Sequence, residues 1–319
     1  MANWEAVLQE IQAYIDANAG DPNQARRAFD VVRRRHLKAL ADETGRNTIA
    51  YYSGFLSKPS NIGGMDINDE DKNGFMLAVH EMDRKKGLDL ILHTPGGGIW
   101  ATQSIVDYLH KMFGNDIRAI VPQIAMSAGT MIACSCKAIV MGKHSNLGPI
   151  DPQMRGVPAY GVIQEFRRAH KEIKKDPTMA FNWQQIIGKY QPTFLSQCEN
   201  SIAWSNTFVR EQLASVMFAK EPDGKDKARR IVRQLASYHG NKTHSRHIHA
   251  EECESFGLAI EHLEAKGNQA FQDHVLTVHH CFMLTLMNTG AYKIIENQNG
   301  ATFVKQLQMQ VVVQQPAGP

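Results

Sequence analysis

The chain has 319 residues, of which 43% are apolar and 21% charged, a composition typical of a globular protein with a full α/β core. Its net charge of +3 is too small to predict binding to nucleic acid or to an anionic membrane. The five scattered cysteines include no CxxC pair, which argues against a disulfide framework and a structural zinc site. The first residues lack a secretion-signal pattern and no apolar run is long enough to span a bilayer. We therefore expect a cytoplasmic protein, although the sequence leaves proximity to a membrane open.

The N-terminal segment has the periodicity of amphipathic helices. Residues 3–45 predict two such helices with a break at Gly20-Asp21-Pro22. The run Arg33-Arg34-Arg35 in the second helix predicts a solvated face. We assign residues 1–46 to a helical arm that packs on the following region or on a second subunit.

From residue 47 onward, short apolar strands alternate with helices. Strands are predicted over 48–52, 88–93, 117–122 and 138–141, and helices over 68–86, 99–113 and 127–136. Strands that alternate with helices at this spacing predict βαβ units, a mainly parallel sheet and right-handed crossovers. The sequence therefore predicts an α/β fold.

The remainder of the chain is predicted to be mainly helical. Helices are expected within 159–238 and over 268–289, with a short strand and a helix over 248–258. The tail from Gln306 is rich in Gln and Val and is expected to be frayed or disordered. These features divide the rest of the chain into an α/β domain over 47–265 and a C-terminal helix with its tail over 266–319.

A glycine-rich turn follows the predicted strand over 88–93. Its sequence is Thr94-Pro95-Gly96-Gly97-Gly98, and glycines there let the backbone approach a bound group without side-chain clashes. Their N–H groups can point at an anionic oxygen. The spacing fits neither a dinucleotide fingerprint nor a P-loop, so we predict no nucleotide and no other cofactor.

A serine stands at the start of the next helix, in Met126-Ser127-Ala128-Gly129. A serine among small residues between a strand and a helix exposes its hydroxyl to a substrate carbonyl. The Ala128 N–H can donate to the oxyanion, and the helix dipole favours the developing negative charge. The alternative is that Ser127 only caps its helix. Two successive strand ends, one rich in glycine and one bearing a serine, favour the nucleophile.

Taken together, these motifs resemble the serine dehydrogenase proteinase family, which is similar to signal peptide peptidase A and to the Clp proteolytic subunit. The resemblance covers about residues 47–265 and rests on the two turns above, on Gly148-Pro149-Ile150-Asp151-Pro152-Gln153 and on the closing segment 248–258. It implies the Clp/crotonase fold, a ββα superhelix with a mainly parallel sheet, here with helical additions at both ends. It also implies a homo-oligomer that hydrolyses peptides or proteins.

The resemblance also implies roles for particular residues. Ser127 matches the nucleophile that forms an acyl-enzyme. The backbone N–H groups of Gly97 and Ala128 match the oxyanion hole, with Gly96 and Gly98 in the same substrate-binding loop.

The general base departs from the Clp pattern. Clp subunits carry a histidine near the position of Asp151 and an aspartate just before the closing helix, where this chain has His244. We predict that the two partners are exchanged, so that His244 is the base and Asp151 orients it. A histidine–carboxylate pair sets the tautomer and stabilises the imidazolium whatever the chain order. Asp151 in a simple Asp-Pro turn is the competing interpretation.

A serine–lysine dyad of the signal-peptide-peptidase kind stays open as the other hypothesis. Lys171, Lys174, Lys175 and Lys189 lie at suitable distances along the chain after Ser127. A lysine base must be buried to lower its pKa, and the charged segment 171–176 looks solvated.

Other interpretations of the chain follow from the same patterns. The protein could be an acyl-CoA or other acyl-transfer enzyme of the same fold, or a catalytically degenerate oligomeric scaffold or binding protein. The histidines at 244, 247 and 249 lack ligand spacing, so we predict no metal. His144 is interpreted as a loop histidine, and Trp100 as ordinary core packing.

Overall fold

The structure is a computed structural model that describes residues 4–241 and 243–307, apart from the side chains of residues 238 and 239. Within these residues the helices, in chain order, are α1 (Trp4–Ala17), α2 (Pro22–Ala25), α3 (Ala28–Thr44), α4 (Asp71–Val79), α5 (Ile99–Phe113), α6 (Ala128–Cys134), α7 (Ala159–Lys175), α8 (Ala180–Ile187), α9 (Phe194–Gln212), α10 (Gly224–Leu235), α11 (Tyr238–Asn241), α12 (Ala250–Phe256) and α13 (Gln269–Asn288). The strands are β1 (Asn47–Ser53), β2 (Leu88–His93), β3 (Ile117–Val121), β4 (Ile124–Ala125), β5 (Ala138–Met141), β6 (Asn146–Leu147), β7 (Gln153–Met154), β8 (Val157–Pro158), β9 (Ile248–His249), β10 (Ile260–His262), β11 (Ala291–Asn297) and β12 (Thr302–Gln306).

A seven-stranded sheet forms the centre of the molecule, in the order β10-β5-β3-β2-β1-β11-β12. The five strands from β10 to β1 run parallel, as expected for strands joined by crossover helices. Strand β11 is antiparallel to both of its neighbours. The predicted α/β class with a mainly parallel sheet is confirmed.

Helices cover both faces of this sheet. One face buries apolar side chains against α4, α5, α6 and α10, and the other packs against α3 and α13. Alternate residues of β2 supply the two layers, because successive side chains of a strand point to opposite faces. Thus Leu90 and Leu92 lie in the first layer and Ile91 in the second.

The N-terminal helices pack against α13, the helix that covers one face of the central sheet. Val7 and Ile11 of α1 and Val32 of α3 share a buried cluster with Leu284 of α13. The predicted solvated face of the second helix is wrong at Arg33, which is fully buried and pairs with Glu296 of β11 at 2.6 Å.

Two further features differ from the sequence prediction. The helix predicted over 68–86 ends at Val79, and Glu81 just beyond it has a positive φ of 61°. Strands β11 and β12 were not predicted, although they complete the central sheet. Gln306 is the last residue of β12, and the predicted frayed tail beyond Leu307 lies outside the described residues.

A small second sheet, in the order β4-β6-β9, joins segments that are far apart in the chain. Strand β4 precedes the predicted serine turn, β6 precedes the segment with Asp151, and β9 precedes helix α12. The small sheet therefore gathers the segments that carry the candidate active site.

Candidate active site

The glycine-rich turn after β2 is held by a neighbouring backbone segment. Ile67 donates its N–H to the Gly96 carbonyl at 2.8 Å and accepts from the Gly98 N–H at 2.7 Å. A Cβ atom added to Gly97 would lie 2.3 Å from the Ile67 nitrogen and 2.4 Å from its oxygen. A glycine is required at position 97 because backbone atoms occupy the space of any side chain.

The serine turn lies directly beside this loop. Met126 donates its N–H to the Thr94 carbonyl at 3.0 Å, and Thr94 donates to the Ile124 carbonyl at 3.1 Å. Gly96 packs so closely that a Cβ atom there would lie 2.7 Å from the Ser127 Cβ. The two strand ends are therefore fixed against each other by main-chain hydrogen bonds.

Ser127 has a strained backbone conformation, with φ 50° and ψ −112°. Positive φ is unusual for a residue other than glycine and is found at functional turns. Its side chain makes no capping hydrogen bond to α6, which argues against the interpretation of Ser127 as a simple helix cap. The residue is partly exposed, and its hydroxyl has no hydrogen-bond partner among the described residues.

Four backbone N–H groups of the predicted oxyanion loop and serine turn are candidates to bind an oxyanion, and two of the four are already used in hydrogen bonds. The Gly96 N–H donates to the Thr94 hydroxyl at 3.2 Å, and the Gly98 N–H is used by Ile67. The N–H groups of Gly97 and Ala128 have no partner among the described residues. These two amides are therefore the ones available to an oxyanion, and Gly96 serves the close approach to Ser127.

His244 and Asp151, which are 93 residues apart in the chain, form a hydrogen bond. The His244 Nδ1 lies 2.9 Å from Asp151 Oδ1, and Asp151 Oδ2 accepts from Gln153 Nε2 at 3.0 Å. Asp151 is buried, whereas the His244 side chain is 26% exposed. An Nδ1–H donated to the carboxylate leaves Nε2 free to accept a proton. No hydrogen bond joins His244 to Ser127 in the described part of the chain.

The segment that carries Asp151 is fixed against the serine helix. Gly148 donates to and accepts from the Thr130 hydroxyl of α6, both at 2.9 Å. Gly148 also packs on Met126, since a Cβ there would lie 3.3 Å from the Met126 Cα. Asp151 is three residues further on, at most about 11 Å along the chain, so it lies near the serine turn.

The lysines of the alternative dyad are all exposed. Lys171, Lys174 and Lys175 lie on α7, and Lys189 follows α8. Lys171 is twelve residues beyond the start of α7, about 18 Å along its axis. Exposure leaves these ammonium groups solvated, without the burial that a lysine base requires.

An apolar groove of about 430 Å³ opens beside the glycine loop. Trp100, predicted to be core, is 68% exposed here, and its ring centroid lies 4.5 Å from that of Trp204. Ile99, Ala203 and Thr207 also line the groove. Sequence reasoning did not find Trp204, because only the fold brings α9 next to α5.

Two histidines lie outside this arrangement. His144 is exposed at a turn, 3.9 Å from Glu264, in agreement with a loop histidine. His93, the last residue of β2, is fully buried, and burial lowers its pKa to about 3. Among the described residues, no group of three or more His, Cys, Asp or Glu side chains could hold a metal ion.

The parallel sheet, the glycine loop and the serine turn together define a Clp-like architecture. A family model for ClpP-like SDH-type serine proteinases matches residues 22–264, and the chain belongs to this family. The family predicted from the sequence is confirmed. Helix α13 and strands β11 and β12 lie beyond the matched residues.

Curated relatives are similar over part of their length. Uncharacterized proteins MJ0137 and MJ1495 of Methanocaldococcus jannaschii are 30% identical over 195 residues and 28% identical over 194 residues. These matches cover 61% of this chain and 60% and 59% of the two proteins, so the chain spans about 60% of their length. An ATP-dependent Clp protease proteolytic subunit 2 of Thermobifida fusca is 31% identical over 75 residues, 23% of this chain and 36% of that subunit.

Across residues 4–241 and 243–307, no helix combines the length and the apolar character needed to cross a membrane.

Proposed function

We propose that the protein is a serine peptidase that cleaves peptide bonds through an acyl-enzyme on Ser127. The observation that carries the proposal is the Ser127 turn, where a residue of positive φ without a capping bond packs against the glycine loop, and where the N–H groups of Gly97 and Ala128 have no partner among the described residues. A hydroxyl beside two free amides suits a reaction in which negative charge develops on a carbonyl oxygen.

The mechanism assigns one role to each group. The Ser127 hydroxyl attacks the scissile carbonyl carbon, and His244 Nε2 takes its proton. Asp151 accepts a hydrogen bond from His244 Nδ1–H and stabilises the imidazolium. The Gly97 and Ala128 amides stabilise the tetrahedral oxyanion. His244 then protonates the leaving amine. In the second half of the reaction, His244 takes a proton from the water that attacks the acyl-enzyme and returns it to the Ser127 oxygen as the acid product leaves.

His244 must come within hydrogen-bond reach of Ser127 during this reaction. Catalytic hydrogen bonds of unliganded enzymes are often long and tighten when substrate binds. The partial exposure of His244, and its position outside the helices and strands, leave its ring room to turn about the Asp151 contact.

A fluorophosphonate probe tests the nucleophile directly. The wild-type protein should be labelled at Ser127, as located by mass spectrometry of the digested protein, and Ser127→Ala should abolish labelling. Ser196→Ala, which removes an exposed serine of α9, is the control and should label as wild type does. A wild-type protein that never reacts with the probe would contradict the peptidase and favour a scaffold.

The base is tested by comparing labelling rates among variants. His244→Ala should slow labelling by about 10²–10⁴-fold, because a positioned general base contributes that much. Lys171→Ala, Lys174→Ala, Lys175→Ala and Lys189→Ala should stay within about twofold of wild type, since these exposed side chains lack the burial that a lysine base requires. His247→Ala is the matched control, an exposed histidine three residues away. Equal rates for His244→Ala and wild type would reject the histidine.

A further inference from the structure

A buried ion pair lies behind the glycine loop. Lys293 of β11 and Asp71 of α4 are both fully buried, and the Lys293 Nζ lies 2.8 Å and 2.9 Å from the two carboxylate oxygens. The Tyr51 hydroxyl donates to Asp71 Oδ2 at 2.8 Å. Replacement of such a pair by apolar residues is often neutral for stability, so stability alone does not account for it.

This ion pair holds the backbone on both sides of Ile67. Lys293 Nζ donates to the Asp66 carbonyl at 2.6 Å, and the Asn68 N–H donates to Asp71 Oδ2 at 3.0 Å. The two peptide groups that flank Ile67 are therefore fixed by groups of opposite charge. Hydrogen bonds to charged groups are stronger than those between neutral groups.

Ile67 in turn fixes the direction of the Gly97 amide. Its N–H and carbonyl bind Gly96 and Gly98, in the pattern of a short parallel bridge. Successive N–H groups of an extended segment point to opposite sides, so the Gly97 N–H points away from Ile67. Gly96, whose carbonyl belongs to the same peptide group as this N–H, packs against Ser127.

We propose that Lys293 and Asp71 are positioning residues of the active site, which aim the Gly97 N–H at the oxyanion by holding residues 66–68. The proposal rests on the proposed peptidase function. It assigns a role in catalysis to β11, a strand outside the residues matched by the family model.

The test replaces both charges at once, because loss of one partner would leave the other charge buried and unpaired. The fluorophosphonate should label Ser127 of Lys293→Met/Asp71→Leu with a maximal rate about 10- to 100-fold lower than that of wild type, since a misplaced oxyanion donor raises the activation barrier of the labelling reaction. The probe concentration for half-maximal rate should change less than about threefold, because ground-state binding does not use this donor. Lys293→Met/Asp71→Asn keeps an acceptor for the Asn68 N–H, so its labelling rate should fall less. This variant replaces Lys293→Met/Asp71→Leu in the test if the latter does not fold.

A second ion pair of the same strand provides the matched control. Arg33 and Glu296 are also fully buried, and their hydrogen bonds and ion pairs involve none of residues 66–68. Arg33→Met/Glu296→Leu should keep the wild-type labelling rate at temperatures where circular dichroism shows both double variants folded. An equal rate loss in the control and test variants would mean a general effect of strand β11 and would overturn the proposal.

Hydrogen exchange separates this inference from the proposed function. The Gly98 N–H is protected by its bond to Ile67, so exchange in peptides covering residues 92–99 should be faster in Lys293→Met/Asp71→Leu than in the control. Unchanged exchange would overturn the positioning role even if labelling slowed. If the wild-type protein is never labelled at Ser127, the peptidase fails, and the exchange result alone decides whether the ion pair holds the loop.

Discussion

At the scale of single residues, Gly97 and Gly98 differ in what surrounds their α-carbons. A Cβ at Gly97 would overlap backbone atoms of Ile67, whereas at Gly98 the nearest atom is the Ile67 oxygen at 3.4 Å. Gly98 also has an ordinary φ of −67°. We expect Gly97→Ala to lose about 10²-fold or more in probe labelling, because one oxyanion donor moves, and about 1–3 kcal/mol of stability.

Gly98→Ala is the matched control for this prediction. It should fold and react at a rate close to that of wild type, since its new methyl group finds ordinary van der Waals contacts. Labelling kinetics and thermal unfolding of the two variants check both effects. Similar behaviour of the two alanine variants would show that Ile67 does not constrain the loop as described.

Some site residues could be predicted from local sequence and others could not. The two turns that carry Gly97 and Ser127 could be predicted because a glycine run and a serine each follow an apolar strand within a few residues, and the catalytic roles of these two residues stay predictions. The pairing of His244 with Asp151 was predicted by comparing their positions with those of the Clp aspartate and histidine, and the structure contains this hydrogen bond. The catalytic roles of both residues stay predictions. Lys293 gave no signal, because its partner Asp71 lies 222 residues away.

At the scale of elements, the predicted strands of the sheet centre match the structure closely. Strands β2, β3 and β5 are apolar runs between turn signals, and every residue of β2 and β5 is buried. Both faces of a parallel strand are covered, so a short continuous apolar run identifies it. The local pattern therefore suffices for these strands.

Strand β11 escaped prediction for a physical reason. Its sequence, Ala-Tyr-Lys-Ile-Ile-Glu-Asn, contains two charged residues that interrupt the apolar pattern. Both are buried, Lys293 against Asp71 and Glu296 against Arg33 and Arg34. Arg33 was assigned to a solvated face for the same reason. Long-range ion pairs between buried residues cannot be inferred from one element at a time.

The C-terminal helix, in contrast to strand β11, was predicted from the sequence. Helix α13 covers Gln269–Asn288, within one residue of the predicted 268–289 at each end. Its buried face recurs at helical spacing through Val275, Val278 and Phe282. A periodic apolar pattern over five turns is a strong signal that needs no knowledge of the partner.

At the scale of the whole molecule, a histidine whose ring makes no hydrogen bond to the described residues lies between the sheet and α13. His93 packs against Tyr52 and Phe55, with ring centroids at 5.4 Å and 5.1 Å, and His279 lies 5.5 Å away. Neither ring nitrogen of His93 has a partner among the described residues. Burial therefore lowers its pKa from the ordinary value of 6.5 to about 3.

This buried histidine should make the stability of the fold depend on pH. The unfolded chain takes up a proton at His93 near pH 6.5, whereas the folded protein does so only near pH 3. The contribution is fully present above pH 6.5 and is lost as the pH falls, by about 1.4 kcal/mol per pH unit within this window. Between about pH 7 and about pH 5 the wild-type free energy of unfolding should fall about 2 kcal/mol more than that of His93→Phe.

Urea unfolding of wild type and His93→Phe at a series of pH values measures this difference. Phenylalanine keeps the ring contacts with Tyr52 and Phe55 and cannot take up the proton, so acid-sensitive groups that do not contact His93 cancel in the comparison. His80→Asn, at a position where the histidine ring is 76% exposed, should follow the wild-type curve. Parallel curves for wild type and His93→Phe would mean that the folded protein protonates His93 as readily as the unfolded chain does. Water would then have to reach its ring through the layer formed by the sheet and α13.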